Sequence, residues 1–277
     1  MKKLRGQTAI LTGANGGMGL YLANALAEQG VNLLLVAFPE TGCDALQAAM
    51  AHRQARAVVL VADLRESIER TRVVNHARQE FGRVDILVNN AGVEFSAVYH
   101  ELAEEQIREV LNVNLEAPMM LTRQVLPGML ERGQGHIVNI SSLAAKSGPG
   151  YQESYAASKA ALIAFTYSLR GTYQGTGVSA SVLCPGFVEV GIYARLKASA
   201  GCAAPALLAA CRPERVAKAL VRAIRRDVPE ILVSRYPVWP VLMIAALSPR
   251  LGAWITTRLG VHDFFRRVVE TGKRTSA

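Results

Sequence analysis

Thr8-Ala9-Ile10-Leu11-Thr12-Gly13-Ala14-Asn15-Gly16-Gly17-Met18-Gly19 is the stretch from which the fold can be read. Its first four residues are an apolar run of strand length. After the glycines comes a helical pattern through Leu22, Leu26 and Ala27, and Gly30 stands where a helix C-cap glycine belongs. Gly13 would permit a tight turn. Gly17 and Gly19 would let backbone and helix approach a pyrophosphate, while the helix N-terminus offers unpaired N–H groups and a positive dipole end. A plain glycine-rich turn is the competing reading. The position of the motif, after the first strand and opening the first helix, favours nucleotide binding.

Moving outward, the pattern repeats. Apolar runs at 31–36, 57–61, 84–88, 137–140, 178–183 and 231–233 read as strands. Most lack clean alternation, as strands buried on both faces do. Between them, helices are expected near 41–52, 66–80, 103–131 and 154–174. Alternating units of this kind predict an α/β fold, a Rossmann-type doubly wound parallel sheet with helices on both faces, in a single domain. Ligands bind such sheets at the carboxyl ends of the strands. There lie the glycines, Asp63, Asn89-Asn90-Ala91-Gly92, Ser142 and Pro185-Gly186.

A second stretch, 141–159, ends in Tyr155-x-x-x-Lys159. Positions four apart share a helix face, so phenol and ammonium can point into one cleft. A cation beside the phenol favours the phenolate and lowers its pKa, which would suit Tyr155 to general acid/base work. Ser142, after the run Ile137-Val138-Asn139-Ile140, could hydrogen-bond a substrate oxygen.

These motifs together resemble the short-chain dehydrogenase/reductase family over roughly residues 5 to 235. Thr-Gly-x-x-x-Gly-x-Gly at 12–19 resembles its cofactor loop, Asn89-Asn90-Ala91-Gly92 its strand-four motif, and Pro185-Gly186 its turn beside the nicotinamide. The resemblance implies a catalytic set of Asn114, Ser142, Tyr155 and Lys159. It implies cofactor contacts from Gly13, Asn15, Gly17, Met18, Gly19, Asp63, Leu64, Asn90, Ala91, Gly92, Tyr155, Lys159, Pro185, Gly186 and Val188. In that scheme hydride passes between nicotinamide and a substrate carbon and Tyr155 exchanges the hydroxyl proton. Lys159 lowers the tyrosine pKa and holds the ribose, and Asn114 positions a water. Read without the family, Asn114 is a helix-interior amide with a packing role.

Three departures stand out. Val190 occupies the position where relatives often carry a threonine that bonds the carboxamide. The end of strand two, Val36-Ala37-Phe38, has neither the Asp of NAD-preferring relatives nor an Arg near Phe38 or Gly16, so NAD and NADP both stay open. The chain also runs some forty residues past the family core.

Composition narrows the partners. The net charge is +9, but residues 1–211 hold 18 Lys+Arg against 17 Asp+Glu, and residues 212–277 hold 13 against 5. The surplus therefore belongs to the tail, and no nucleic-acid module is visible. The cysteines Cys43, Cys184, Cys202 and Cys211 are scattered, so reduced thiols are expected and no metal site. The glycine motif begins too early to leave room for a cleavable signal peptide, and a cytoplasmic location is expected. Residues 190–211, with Leu196, Ala198, Ala200, Ala203, Ala204, Leu207 and Leu208, fall where the family carries its substrate lid. Their apolar character points to a lipophilic ketone or secondary alcohol, against the plainer reading of a helix packed on the core. A non-catalytic nucleotide-binding scaffold is the alternative from another class, and an epimerase or dehydratase is a third reading. The intact tetrad argues against the scaffold.

Residues 1–235 are thus expected to form the dinucleotide-binding and catalytic domain, and 236–277 an apolar, basic extension that is not an independent domain. Residues 236–249 carry no charge, and Trp239 and Trp254 lie within or near them among Arg235, Arg250 and Arg258. The run is too short and proline-broken to span a bilayer. It leaves two readings: peripheral membrane contact through 236–260, or packing against the pocket or a partner subunit. A homo-oligomer is the assembly expected.

Overall fold

The computed structural model describes residues 3–51, 53 and 55–275; the side chains of Leu207 and of residues 272–275 lie outside the described residues. In chain order the elements are β1 (Thr8–Thr12), α1 (Gly19–Ala27), β2 (Asn32–Ala37), α2 (Cys43–Met50), β3 (Ala57–Val61), α3 (Ser67–Phe81) and β4 (Ile86–Asn89). Then follow α4 (Glu104–Leu111), a π turn (Asn112–Glu116), α5 (Ala117–Glu131), β5 (Gly135–Ile140), the short α6 (Ala144–Ser147), α7 (Glu153–Thr172) and β6 (Val178–Pro185). The chain ends with α8 (Ile192–Ala200), α9 (Pro213–Arg226), β7 (Glu230–Val233), α10 (Trp239–Leu247), α11 (Pro249–Arg258) and α12 (Val261–Thr275).

The seven strands form one parallel sheet in the order β3-β2-β1-β4-β5-β6-β7. Strand order reverses between β1 and β4, and a crevice opens there at the carboxyl ends. The strands lack alternation because both faces are covered. Ala9 and Leu11 face a core layer with Leu22 and Leu26 of α1 and Leu220 and Ile224 of α9. Ile10 faces the opposite layer with Val73 and Val74 of α3 and Leu121 and Val125 of α5.

Every expected strand and helix is present with ends shifted by one to a few residues. The helical region 103–131 is interrupted by the π turn, which matters for the site. Helix α9 is an element that the sequence reading did not place. Its signals are Pro213 at the first helical position and a helical-period stripe of Val216, Leu220 and Ala223 set among basic residues.

The extension has two parts. Helix α12 lies on α8, with Val261, Phe264, Phe265 and Val268 in a cluster with Tyr193, Leu196 and Ala200. The His262 Nδ1 accepts a hydrogen bond from the Gly150 N–H (3.1 Å), tying the extension to the loop before α7. Helices α10 and α11 form a tight hairpin. A Cβ on Gly252 would come within 2.6 Å of the Ala245 Cβ, so only glycine admits this crossing.

Candidate active site

The loop between β1 and α1 is held from the side by β4. Thr12 Oγ1 accepts from the N–H groups of Asn90 and Ala91 (3.0 Å each), and the Asn90 side-chain amide donates to the carbonyls of Thr12 and Gly13 (3.0 Å each). Gly13 sits at φ +63°, and a Cβ there would meet the Ala91 Cα at 2.8 Å. The other two glycines do something different from what the spacing suggested. A Cβ on Gly17 would lie 2.2 Å from the Gly191 nitrogen, and one on Gly19 would lie 2.3 Å from the Ala14 carbonyl oxygen. Gly17 therefore admits the 190–191 segment, and Gly19 admits the start of α1 against its own loop. Among the described residues, the N–H groups of Gly17 and Met18 have no protein acceptor. They are free at a helix N-terminus, as an anion cradle requires.

The Asn15 side chain is spent elsewhere. Its amide donates to the carbonyls of Pro39 (2.7 Å) and Thr41 (3.1 Å), and its oxygen accepts from the Phe38 N–H (3.3 Å). It fixes the loop after β2 and leaves only its backbone for a ligand. Asp63 is likewise engaged. The Arg65 guanidinium grips both carboxylate oxygens (Nε 3.0 and 2.9 Å, Nη2 2.6 Å), and this pairing lowers the Asp63 pKa. The same guanidinium lies 5.5 Å from the centroid of the Phe38 ring and 3.4 Å from Glu109. Arg65 thus joins the end of β2 to the end of β3, a part the sequence reading did not assign.

The reacting groups converge from three elements. Ser142 follows β5, and its Oγ accepts from the Ala144 N–H (3.1 Å) and lies near enough to the Tyr155 phenol to favour its ionised form. Tyr155 and Lys159 lie on one face of α7, with the Lys159 Nζ 5.8 Å from the phenol ring centroid. That ammonium donates to the Ile140 carbonyl (3.0 Å), and the Ser141 hydroxyl donates to the Lys159 carbonyl (2.7 Å). The expected lowering of the tyrosine pKa is not what this geometry gives. Burial outweighs the help from Ser142 and pushes Tyr155 up to about 12, with Glu94 adding to the rise. Burial also brings Lys159 down to about 8.

Asn114 falls inside the π turn, where the extra residue per turn redirects its side chain. It is fully buried. Its amide donates to the Val93 carbonyl (2.9 Å) and to Ser158 Oγ (3.2 Å), and its oxygen accepts from the Val93 N–H (2.9 Å). A Cβ on Gly92 would stand 3.3 Å from both the Asn114 oxygen and the Lys159 Nζ. Asn114 and Lys159 therefore flank a single glycine.

One cavity of about 500 Å³ runs from the glycine loop past Asp63 and Leu64, along Asn90-Ala91-Gly92, to Ser142, Tyr155, Pro185, Gly186 and Val188. Of the expected site residues, Gly19, Asn114 and Lys159 stand behind its wall; the others line it. Its far end is built from the expected lid region and from the extension, whose packing against the pocket was one of its two readings, with Phe187 and Phe265 not singled out by sequence. Phe187 and Tyr193, ring centroids 4.9 Å apart, meet Phe265 of α12, and Val238, Val241 and Leu242 close the same end. Gln152, 2% exposed, lines the cavity one helical turn before Tyr155. Its amide nitrogen donates to Ser96 Oγ (2.6 Å) and to the carboxyl of Glu94, whose pKa burial raises. The only sequence signal for Gln152 was its place on the Tyr155 face. For Phe264 and Phe265 there was none beyond helical spacing in a basic tail.

Residues 7–200 match the family described as short chain dehydrogenase. The chain is 36% identical over 280 residues to the ketoacyl reductase HetN of Nostoc sp., covering 98% of this chain and 95% of that protein. It is 35% identical over 186 residues to the 3-oxoacyl-[acyl-carrier-protein] reductase FabG of Vibrio cholerae, covering 67% of this chain and 75% of that one. Among solved structures, a variant of actinorhodin polyketide ketoreductase with NADPH superposes with a TM-score of 0.77 at 29% identity, covering 84% of this chain and 97% of that one.

Proposed function

The chain belongs to the short chain dehydrogenase family and is an NAD(P)-dependent oxidoreductase, and on that premise we propose that it reduces a lipophilic ketone, with Tyr155 as the proton donor. The observation that carries this reading is the meeting of Ser142 and Tyr155, backed by Lys159, in the wall of a cavity whose far end is apolar. A 3-oxoacyl chain is the first substrate to try, since the relatives named ketoacyl reductases act on that chemistry. The far wall of Phe187, Tyr193 and Leu242 suits its acyl tail.

The residues present fit a dinucleotide. The free N–H groups of Gly17 and Met18 would hold its pyrophosphate, Leu64 and the Asp63–Arg65 pair would border its adenine end, and Asn90, Ala91 and Gly92 would lie along its middle. Pro185, Gly186 and Val188 would border the nicotinamide. When bound, this cofactor supplies the hydride. Everything else falls to the protein. Ser142 donates to the carbonyl oxygen as negative charge gathers there. Tyr155, with its pKa at about 12, keeps its proton at neutral pH and delivers it to that oxygen. Lys159, held behind Tyr155 by the Ile140 carbonyl, orients it and restores its charge balance, and Asn114 fixes the Val93 backbone beside Gly92.

In this reading residues 1–235 are the catalytic unit and 236–277 complete its cavity. Peripheral contact with a membrane through 236–260 is proposed independently of it. The homo-oligomer is proposed on the family resemblance alone.

The test is oxidation of NADH and NADPH, in parallel, with 3-oxoacyl thioesters of increasing length and with bulky lipophilic ketones. Tyr155→Phe keeps the ring and removes the proton, so turnover should fall about 10²–10⁴-fold while cofactor binding persists. A variant that kept near-normal turnover would remove Tyr155 from the mechanism. A native enzyme that cycles substrate with no net NAD(P)H consumption would favour the epimerase reading.

A further inference from the structure

The apolar surface of this protein is unevenly spread. Of the thirteen large hydrophobic side chains left exposed among the described residues, seven fall between Tyr236 and Trp254. On α10, Trp239, Met243 and Leu247 follow one another at intervals of four, so they form a single outward ridge. Leu247 is 84% exposed, and Ile244, Leu251 and Trp254 extend the ridge onto α11. Isolated exposed hydrophobics are ordinary, but a contiguous patch of this kind marks a surface that meets something.

Its surroundings say what. Residues 235–258 contain three arginines and no acidic residue. All three arginines are exposed, and two brace aromatic rings of the patch: Arg235 over Tyr236 at 5.7 Å and Arg258 over Trp254 at 5.5 Å. An apolar ridge with indoles and guanidinium groups along it matches the headgroup boundary of a bilayer, where apolar side chains sink in and cations meet phosphate. The excess of basic residues over 212–277 adds attraction to an anionic leaflet. No described helix is long and apolar enough to cross a membrane.

The inner side of the same hairpin is cavity wall: Val238, Val241 and Leu242 with Thr256 and Leu259.

We propose that the α10–α11 hairpin seats this protein on the surface of an anionic phospholipid bilayer, so that the active-site cavity opens beside the lipid and takes its substrate from it. What passes through rests on the lipophilic-substrate reading above. The seating does not, and it is tested without turnover.

Trp239 and Trp254 are the only two tryptophans of the chain, and each is 57% exposed on this face. Excited at wavelengths that tyrosine does not absorb, the intrinsic emission of the unlabelled full-length protein therefore reports this face alone. Vesicles of phosphatidylcholine, with and without phosphatidylglycerol, are titrated in. Seating predicts a blue shift with the anionic vesicles, quenching by lipids brominated in the upper acyl chain, and weakening in about 1 M salt, where the Debye length falls to about 3 Å. The double variant Met243→Ser, Leu247→Ser should bind about tenfold more weakly or worse, with thermal stability and cofactor binding unchanged, since neither side chain lines the cavity. Emission unmoved by both vesicle types would overturn the proposal. So would a blue shift that needs no lipid but tracks protein concentration, with sedimentation as a dimer, because a second copy would then cover the ridge. Equal affinity of the double variant would overturn it too.

Discussion

Gly17→Ala should separate two reasons for a glycine in the cofactor loop. If Gly17 served only a ligand, an alanine there would weaken cofactor binding and leave the folded protein alone. The structure says that the added methyl would first meet the protein itself. It would lie 2.2 Å from the Gly191 nitrogen, 2.4 Å from the Gly191 Cα and 3.0 Å from the Val190 carbonyl carbon. Carbon contacts settle at about 3.5–4.0 Å, so the segments must part by roughly an ångström or more. All three atoms are backbone, and no rotamer change relieves them. Overpacking of this kind costs about 1–3 kcal/mol, and rigid neighbours place it at the upper end. For a chain of this size each kcal/mol moves Tm by about 2–4 °C, so a fall of roughly 4–12 °C is expected.

The loop cannot part from 190–191 without carrying the free N–H groups of Gly17 and Met18 away from their ligand. Losing even one hydrogen bond to a charged group, about 1.5–3 kcal/mol, weakens NADPH binding about tenfold to a hundredfold. Gly16→Ala is the control within the same loop. Its Cβ would meet only the Gly13 carbonyl oxygen, at 3.2 Å, and its stability loss should be less than about 1 kcal/mol. Thermal melts and fluorescence titration of NADPH read both quantities. A Gly17→Ala protein that melts with the parent, or no earlier than Gly16→Ala melts, would refute the packing argument.

Two pH-dependent outcomes follow from the buried groups around Tyr155. Burial holds Lys159 at about 8, below the ordinary 10.5, so between those values the unfolded chain binds the extra proton and stability rises with pH; Lys159→Met should abolish that rise in a series of melts, together with any step near pH 8 in the reduction rate. Burial raises the Glu94 carboxyl instead, so the folded state binds the extra proton and stability falls as pH climbs from the ordinary carboxylate range through the raised value. Glu94→Gln should flatten that fall and, by removing a negative charge near Tyr155, bring the phenol pKa down, which an ultraviolet titration of the phenol would read as an earlier ionisation.

The sheet was legible because its strands obey a rule with no context: buried on both faces, they read as unbroken apolar runs, and the glycine loop marks where the first run ends. The reacting trio was legible for a similar reason. Tyr155 and Lys159 are neighbours on one helix, so their spacing alone brings them together, and Ser142 needs only the end of β5 to place it. What escaped depends on contacts between distant segments. Nothing near Gly17 announces that Val190 and Gly191 will press on it, and nothing in Asn15 says that its amide will be used up by Pro39 and Thr41. The direction of the Tyr155 shift escaped too, because it is set by how much water burial removes, and a sequence does not carry that quantity.

The extension shows the limit most clearly. Its composition offered packing against the pocket and contact with lipid as rivals, since both ask for apolar residues edged by arginine. Three dimensions divide the residues between the two demands. Phe264 and Phe265 of α12 are 3% and 4% exposed and sit in the aromatic cluster with Phe187 and Tyr193, whereas Trp239 and Leu247 of α10 stand outside. Within α10 itself the split repeats, with Val241 and Leu242 turned to the cavity and Met243 and Leu247 turned away. A helix apolar on every side shows no periodicity from which to tell an inner face from an outer one. The crossing at Ala245 and Gly252, with the packing of the hairpin on α6 and α12, fixes which side becomes wall and which becomes surface. Gly252→Leu should therefore disturb both faces at once, while the polar substitutions on the ridge touch one.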